Sequence, residues 1–284
     1  MRRVVRMALA CFALCASCKS ESRPAHATAS RVVSLSPSTT EALAAIGARA
    51  LLVGRSRYCD FPLDVASVPV VGGYVDPSYE AIVALTPDLV TGARGPGGPG
   101  LSEKLTKLGI ATYFPETESL GGVDAMLRGL GERTGHAREA ADVVARLDAK
   151  EASITAAVAT LPKVRALLLF GLTPIVAAGP HGFPDEMLRR AGGVNAVLEG
   201  GGYPTLGLER VLALDPDVIV DEAWGEASGP SRITTDSPGW RELRAVKAGH
   251  VVTLRDEVML RPGPRIGEGL RLLAKALHPE AVIP

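Results

Sequence analysis

Glu80-Ala-Ile-Val-Ala-Leu-Thr-Pro-Asp88-Leu-Val90 returns 129 residues later as Glu209-Arg-Val-Leu-Ala-Leu-Asp-Pro-Asp217-Val-Ile219. Glu, Ala, Leu, Pro and Asp coincide, and four further positions exchange one apolar residue for another. The pattern has a direct physical reading. An acid in the first turn suits the positive end of a helix, Pro cannot continue that helix, and the apolar run after Asp enters a sheet. Two similar lobes are therefore expected, each containing this helix-to-strand joint.

Outward from the first copy, residues 31–35 read as a strand, and Ser36-Pro37-Ser38-Thr39-Thr40-Glu41 offers hydroxyl caps to a helix ending near Gly47. Strands at 51–54, 88–91 and 110–114 alternate with helices at 79–85 and 101–108. Around the second copy, strands at 165–170, 217–220 and 251–254 alternate with helices at 185–191 and 209–214, and a closing helix starts near Pro264. Such alternation predicts an α/β fold with two lobes of mostly parallel sheet and flanking helices. Between them a helix is expected at 123–130, with Gly129, Gly131 and Gly135 separating it from a longer one at 137–161, which Pro162 ends. About 25 residues of helix span roughly 37 Å, enough to join the lobes. The expected limits are 31–122 for the first lobe, 123–162 for the connecting segment and 163–284 for the second lobe.

The N-terminus predicts export. Arg2, Arg3 and Arg6 precede an apolar run over 7–17, too short to span a bilayer. Leu14-Cys15-Ala16-Ser17-Cys18 resembles a bacterial lipobox, so residues 1–17 read as a lipoprotein-type signal, Cys18 as the lipidated residue and 18–30 as a tether. The 31 basic residues of the chain balance its 31 acidic ones, and losing three arginines with the signal leaves the mature protein mildly acidic. Neither a nucleic-acid footprint nor a polybasic membrane patch is present. Of the 4 cysteines, Cys11 and Cys15 leave with the signal and Cys18 is the anchor, which leaves Cys59 without a disulfide partner.

Four stretches carry a resemblance: Arg31 to Glu41, Val53-Gly-Arg-Ser-Arg-Tyr-Cys-Asp-Phe-Pro62, and residues 79–90 and 208–217. Together, over 31–280, the chain resembles the periplasmic substrate-binding proteins of ABC importers for cobalamin, haem and ferric siderophores, whose two lobes are bridged by one long helix. Tyr58-Cys-Asp-Phe-Pro62 is most similar to the cobalamin-binding branch. The resemblance implies a non-enzymatic carrier, monomeric, serving a permease and its ATPase. It implies ligand capture between the lobes by Tyr58, Tyr74, Phe170 and Tyr203, and docking on the permease through Glu80 and Glu209. Tyr74 and Tyr203 stand where the cobalamin binder of enteric bacteria has Trp. Arg94 and Trp224, which follow expected strands, are further ligand candidates.

Enzymatic signatures are missing: there is no Gly-x-Ser-x-Gly elbow, His-Glu-x-x-His pair or phosphate loop. An exported α/β hydrolase or transferase is the rival from another class; Ser36, Ser38 and Thr39 read as caps rather than nucleophiles. The five histidines are scattered, so a bare-metal site is not expected. His181 is either an axial ligand to a bound metallo-macrocycle or an exposed loop residue. Arg55, Arg57, Arg261 and Arg265 lie in or beside loops and are expected to be solvated or to meet carboxylates of a ligand.

Overall fold

The computed structural model describes residues 28–94, 98–223, 231–254, 258 and 261–284. The signal, Cys18, most of the tether and Trp224 lie outside these residues. The first lobe runs β1 (Val32–Ser34), α1 (Pro37–Ala45), β2 (Leu52–Arg55), α2 (Tyr79–Ala84), β3 (Leu89–Thr91), α3 (Gly98–Lys107) and β4 (Ala111–Tyr113). Its strands form a parallel sheet in the order β2-β1-β3-β4. Helices α4 (Leu120–Thr134) and α5 (Ala137–Val158) follow.

The second lobe contains β5 (Val164–Leu172), β6 (Ile175–Ala177), α6 (Phe183–Arg190), β7 (Gly193–Asn195), β8 (Thr205–Leu206), α7 (Leu208–Leu214), β9 (Val218–Asp221), α8 (Arg244–Lys247), β10 (Val251–Thr253) and α9 (Ile266–Leu277). Here β10, β9, β5 and β7 are parallel, while β6 and β8 add an antiparallel edge. Strands β6, β7 and β8 were not expected.

The repeated joint is built the same way twice. Thr86 and Asp215 occupy equivalent positions, and both take positive φ, at 44° and 37°, as the helix stops before Pro. Asp88 then accepts the backbone N–H of Arg31 at 3.0 Å, and Asp217 accepts that of Arg165 at 3.1 Å. Each arginine side chain reaches the carboxyl end of the short helix of its own joint, Arg31 the Leu85 and Thr86 carbonyls after α2 and Arg165 those of Leu214 and Asp215 at the end of α7. The orphan carbonyls of α2 and α7 are thereby satisfied.

Two expectations about the connector change. Helix α4 continues through Gly129 and Gly131 and stops only at Gly135, which is left-handed at φ 77°. The inner glycines serve close packing: a Cβ on Gly131 would lie 2.6 Å from that of Ala140 on α5. Helix α5 has 22 residues, about 33 Å, not 25. Its last turns tighten to i→i+3 bonds, from Ala159 to Ala156 and Leu161 to Val158, before Pro162. Leu147, Ile154 and Val158 of α5 join one continuous apolar core with Val32 and Leu89 of the first sheet and Leu168 and Val220 of the second. Helix α9 starts at Ile266, two residues after Pro264. Among the described residues no helix is long and apolar enough to cross a membrane.

Glu151 of α5 is 8% exposed. Burial, partly offset by Arg190 and reinforced by Asp124, Asp148 and Glu186, raises its carboxyl from 4.5 to about 7. The native state therefore binds this proton more tightly than the unfolded chain, so the group's contribution is full below pH 4.5 and is lost as pH rises through 7. Glu151→Gln is expected to stabilise the protein at pH 8 by about 1–3 kcal/mol, and by less at pH 5, in urea unfolding.

Candidate functional site

Parallel strands place the residues that follow their carboxyl ends around a common crevice. In the first lobe Ser36 follows β1, Arg57 and Tyr58 follow β2, Ala93 and Arg94 follow β3, and Thr117 and Glu118 follow β4. All of these line one cavity of about 580 Å³, together with Tyr74, Tyr203, Asp60 and Arg261. The last part of the chain and the loop before β8 thus meet the first lobe across a cleft of small-molecule size.

Local chemistry sets each wall. Ser36 caps α1 by accepting from the Thr39 N–H, and its Oγ also accepts the Ala93 N–H at 2.9 Å, tying the loops after β1 and β3 together. Behind it Ser34, Thr39 and Thr40 share buried hydroxyl bonds of 2.7 and 2.8 Å. Ser36 is thus the cap that the sequence predicts, braced by Ser34, Thr39 and Thr40. Cys59 is a buried free thiol, its Sγ 3.4 Å from Ser56 Oγ.

The rings come from different loops. Tyr58 is 53% exposed and its backbone is held by Ser56, the N–H donating to Oγ at 3.2 Å. Tyr74 donates its hydroxyl to the Arg94 carbonyl at 2.8 Å, so it crosses from the loop before α2 to the loop after β3. Tyr203 faces them from the second lobe. Its loop packs so closely that a Cβ on Gly179 would lie within 3 Å of both the Gly201 carbonyl and the Pro204 ring, and the Gly179 N–H donates to the Gly202 carbonyl at 2.8 Å. Phe170, near the end of β5, does not line the cavity; it meets Tyr203 edge-on, centroids 5.3 Å apart at 61°. Three of the four expected rings therefore share the cleft, and the fourth supports one of them.

Half of Tyr203 remains exposed, yet the protein mass around it and the carboxylate of Glu118 push its phenol up to about 12. Burial and Glu118 raise Tyr74 in the same direction. Both hydroxyls stay protonated across the physiological range; Tyr74 donates its proton to the Arg94 carbonyl and can accept, while Tyr203 can donate to a ligand.

The floor is ionic. Glu41, whose side chain is 2% exposed, accepts from Arg265 at 2.6 and 2.7 Å and from Arg261 at 2.7 Å. Arg261 also reaches Asp60 at 3.0 Å, and the Arg265 guanidinium lies 4.0 Å over the Phe61 ring. These contacts join α1 and the loop after β2 to the residues that open α9.

Glu118, Thr117 and Asp60 were not singled out in the sequence; a rule collecting every polar residue just after a strand would have found Glu118 and Thr117. Glu80 and Glu209 are exposed in the first turns of α2 and α7. His181 is exposed with φ 66°, its N–H donating to Asp185, and it is not among the cavity-lining residues. Among the described residues no group of His, Cys, Asp and Glu could hold a metal ion. A second hollow, about 620 Å³, lies by the amino-terminal ends of β5, β9 and β10 under α9. Its walls are mostly apolar, with Asp217, His250 and Lys275 among them, and it contains none of the clustered tyrosines.

A family model described as periplasmic binding protein matches residues 32–258. The chain belongs to this family. A cobalamin-binding protein of Halobacterium salinarum is 30% identical over 257 residues, covering 87% of this chain and 69% of that protein. The crystal structure of a periplasmic vitamin B12 binding protein of Vibrio cholerae superposes with a TM-score of 0.77 at 25% identity, over 88% of this chain and 96% of the other. A periplasmic heme binding protein from Pseudomonas aeruginosa matches with a TM-score of 0.77 at 27% identity, over 90% and 95%. Two lobes of mostly parallel sheet and a family of binding proteins are thus established for this sequence.

Removing the Glu41 carboxylate takes away the carboxylate that Arg265 meets and one of the two that Arg261 meets, beside Asp60. Glu41→Ala is expected to lower unfolding stability by about 3–5 kcal/mol, measured by urea titration.

Proposed function

We propose that the protein is an extracytoplasmic binding lipoprotein that captures cobalamin or a related corrinoid in this cleft and delivers it to the permease of an ABC importer. The observation that carries the reading is the convergence of Tyr58, Tyr74 and Tyr203 on one cavity at the strand ends, with Phe170 behind Tyr203. A macrocycle offers broad apolar faces to such rings and a polar fringe to their hydroxyls. The names of relatives such as the Halobacterium protein support the same ligand. Haem is the second reading, favoured by a Pseudomonas structure that superposes as well as the Vibrio one; a ferric siderophore is the other ligand class the sequence suggests.

Capture involves no covalent step. Glu80 and Glu209, exposed at equivalent positions of the repeat, are assigned to docking on arginines of the permease, whose ATPase drives uptake. Cys18 is assigned as the lipid anchor in the periplasm or cell envelope, with the mature protein working as a monomer.

Isothermal titration of the purified protein is expected to give a micromolar or tighter Kd for cyanocobalamin, and weaker binding for haem and ferric hydroxamates. Saturable binding of iron chelates alone would overturn the corrinoid assignment. Tyr203→Ala is expected to weaken cyanocobalamin binding about three- to tenfold, the loss of one ring contact. Glu80→Ala combined with Glu209→Ala is expected to abolish corrinoid uptake by cells while leaving affinity intact; a fall in affinity would sink the docking assignment.

A further inference from the structure

The arginines of the cleft are already engaged by the protein. Arg57 reaches Asp76 at 2.9 Å, and Arg94 is paired with Glu116. Arg261, 13% exposed, is divided between Asp60 and Glu41, and Arg265 completes the Glu41 pair. Each guanidinium thus meets a carboxylate of the chain before it can meet one from a ligand.

Glu118 is different. It is exposed in the cavity wall after β4, and it has no basic partner among the described residues. It lines the same cavity as Tyr74 and Tyr203, which come from opposite sides of the cleft, so the carboxylate borders the space a ligand must enter. Of the described charged groups here, Arg57, Arg94, Arg261 and Arg265 are matched by Asp76, Glu116, Asp60 and Glu41, and Glu118 remains over.

We propose that Glu118 is the specificity-determining charge of the cleft: it accepts hydrogen bonds from a ligand edged with amide N–H groups or positive charge, and repels chelates fringed with carboxylates or catecholates. The inference rests on the cleft being the ligand site. A carboxylate accepts but does not donate at neutral pH. An anionic ligand would therefore face it without a compensating bond and would have to compete with internal acids for every described arginine. Rejection of this kind sets specificity by repulsion rather than by extra contacts.

The test compares two ligand pairs on wild type and Glu118→Gln at low ionic strength, by titration calorimetry. One pair is cyanocobalamin and its derivatives with one peripheral amide hydrolysed to a carboxylate. The other is a cationic ferric trihydroxamate and a trianionic ferric tris-catecholate. Wild type is expected to prefer the neutral or cationic member by about tenfold or more, and Glu118→Gln to shrink that ratio to about threefold or less. Added salt is expected to shrink the wild-type ratio as well. An unchanged ratio in Glu118→Gln, or wild-type preference for the anion, overturns the role of Glu118. Binding of iron chelates without any corrinoid overturns the corrinoid reading alone, because the second pair still reports the charge selection. Failure of all these ligands to bind overturns both. Glu118 is exposed and makes no ion pair among the described residues, so an unaltered thermal midpoint is expected for the variant.

Discussion

Glu41 is the constraint on which the cleft depends. It sits on the first helix of one lobe, almost fully removed from water, and both of its cationic partners arrive from the residues that open the last helix. A buried carboxylate cannot persist without such compensation. Its position therefore dictates where Arg261 and Arg265 must be, and with them the wall of the cavity facing Ser38 and Asp60. The same cluster draws Phe61 and the Tyr58 loop against the floor through the Arg265 stack. The lobes are held at this point by charge and along α5 by apolar packing, two different kinds of contact.

Within each lobe the repeated Pro-Asp joint performs one mechanical task. It stops a short helix in a left-handed residue, turns the chain, and ties the new strand to the backbone of the lobe's first strand through the Asp carboxylate. This tie aligns the amino-terminal ends of the strands, and the opposite ends then deliver their loops to the cleft. The cavity-lining residues are consequently on loops while the joints that position them are on the far side of the sheet, a division that lets loop chemistry vary over a constant scaffold.

Local pattern accounts for much of what was legible. Hydroxyl caps, apolar runs and Pro stops act over a few residues, so α1, α2, α7 and the central strands were readable within one or two positions. The three short strands of the second lobe were not: β7 pairs with β5 across the intervening β6 and α6, β8 pairs with β6 across an intervening helix, and β6 itself turns back on β5 after only Thr173 and Pro174. Gly129 and Gly131 looked like breaks but are packing sites, because a missing Cβ looks the same in sequence whether it frees the backbone or admits a neighbour, the Tyr113 ring at Gly129 and helix α5 at Gly131. Of the ring positions, Tyr58, Tyr74 and Tyr203 were identifiable by family resemblance. Glu118 was not, because nothing local distinguishes an acid that is paired from one that is left over.

The sequence by itself determined the α/β class, the internal repeat, the long connecting helix and the family, because each is written in short-range periodicity or in contiguous motifs. Only the tertiary structure decided which charges cancel. Glu41 meets arginines 220 and 224 residues away, and Arg57, Arg94 and Arg261 each find their carboxylates through the fold. Coulomb energy depends on distance and on the surrounding medium, and neither is encoded in spacing along the chain. The balance of 31 acids and 31 bases in the whole sequence gives no hint that, once each cleft arginine is counted with the carboxylate it meets, Glu118 is left over among the described residues.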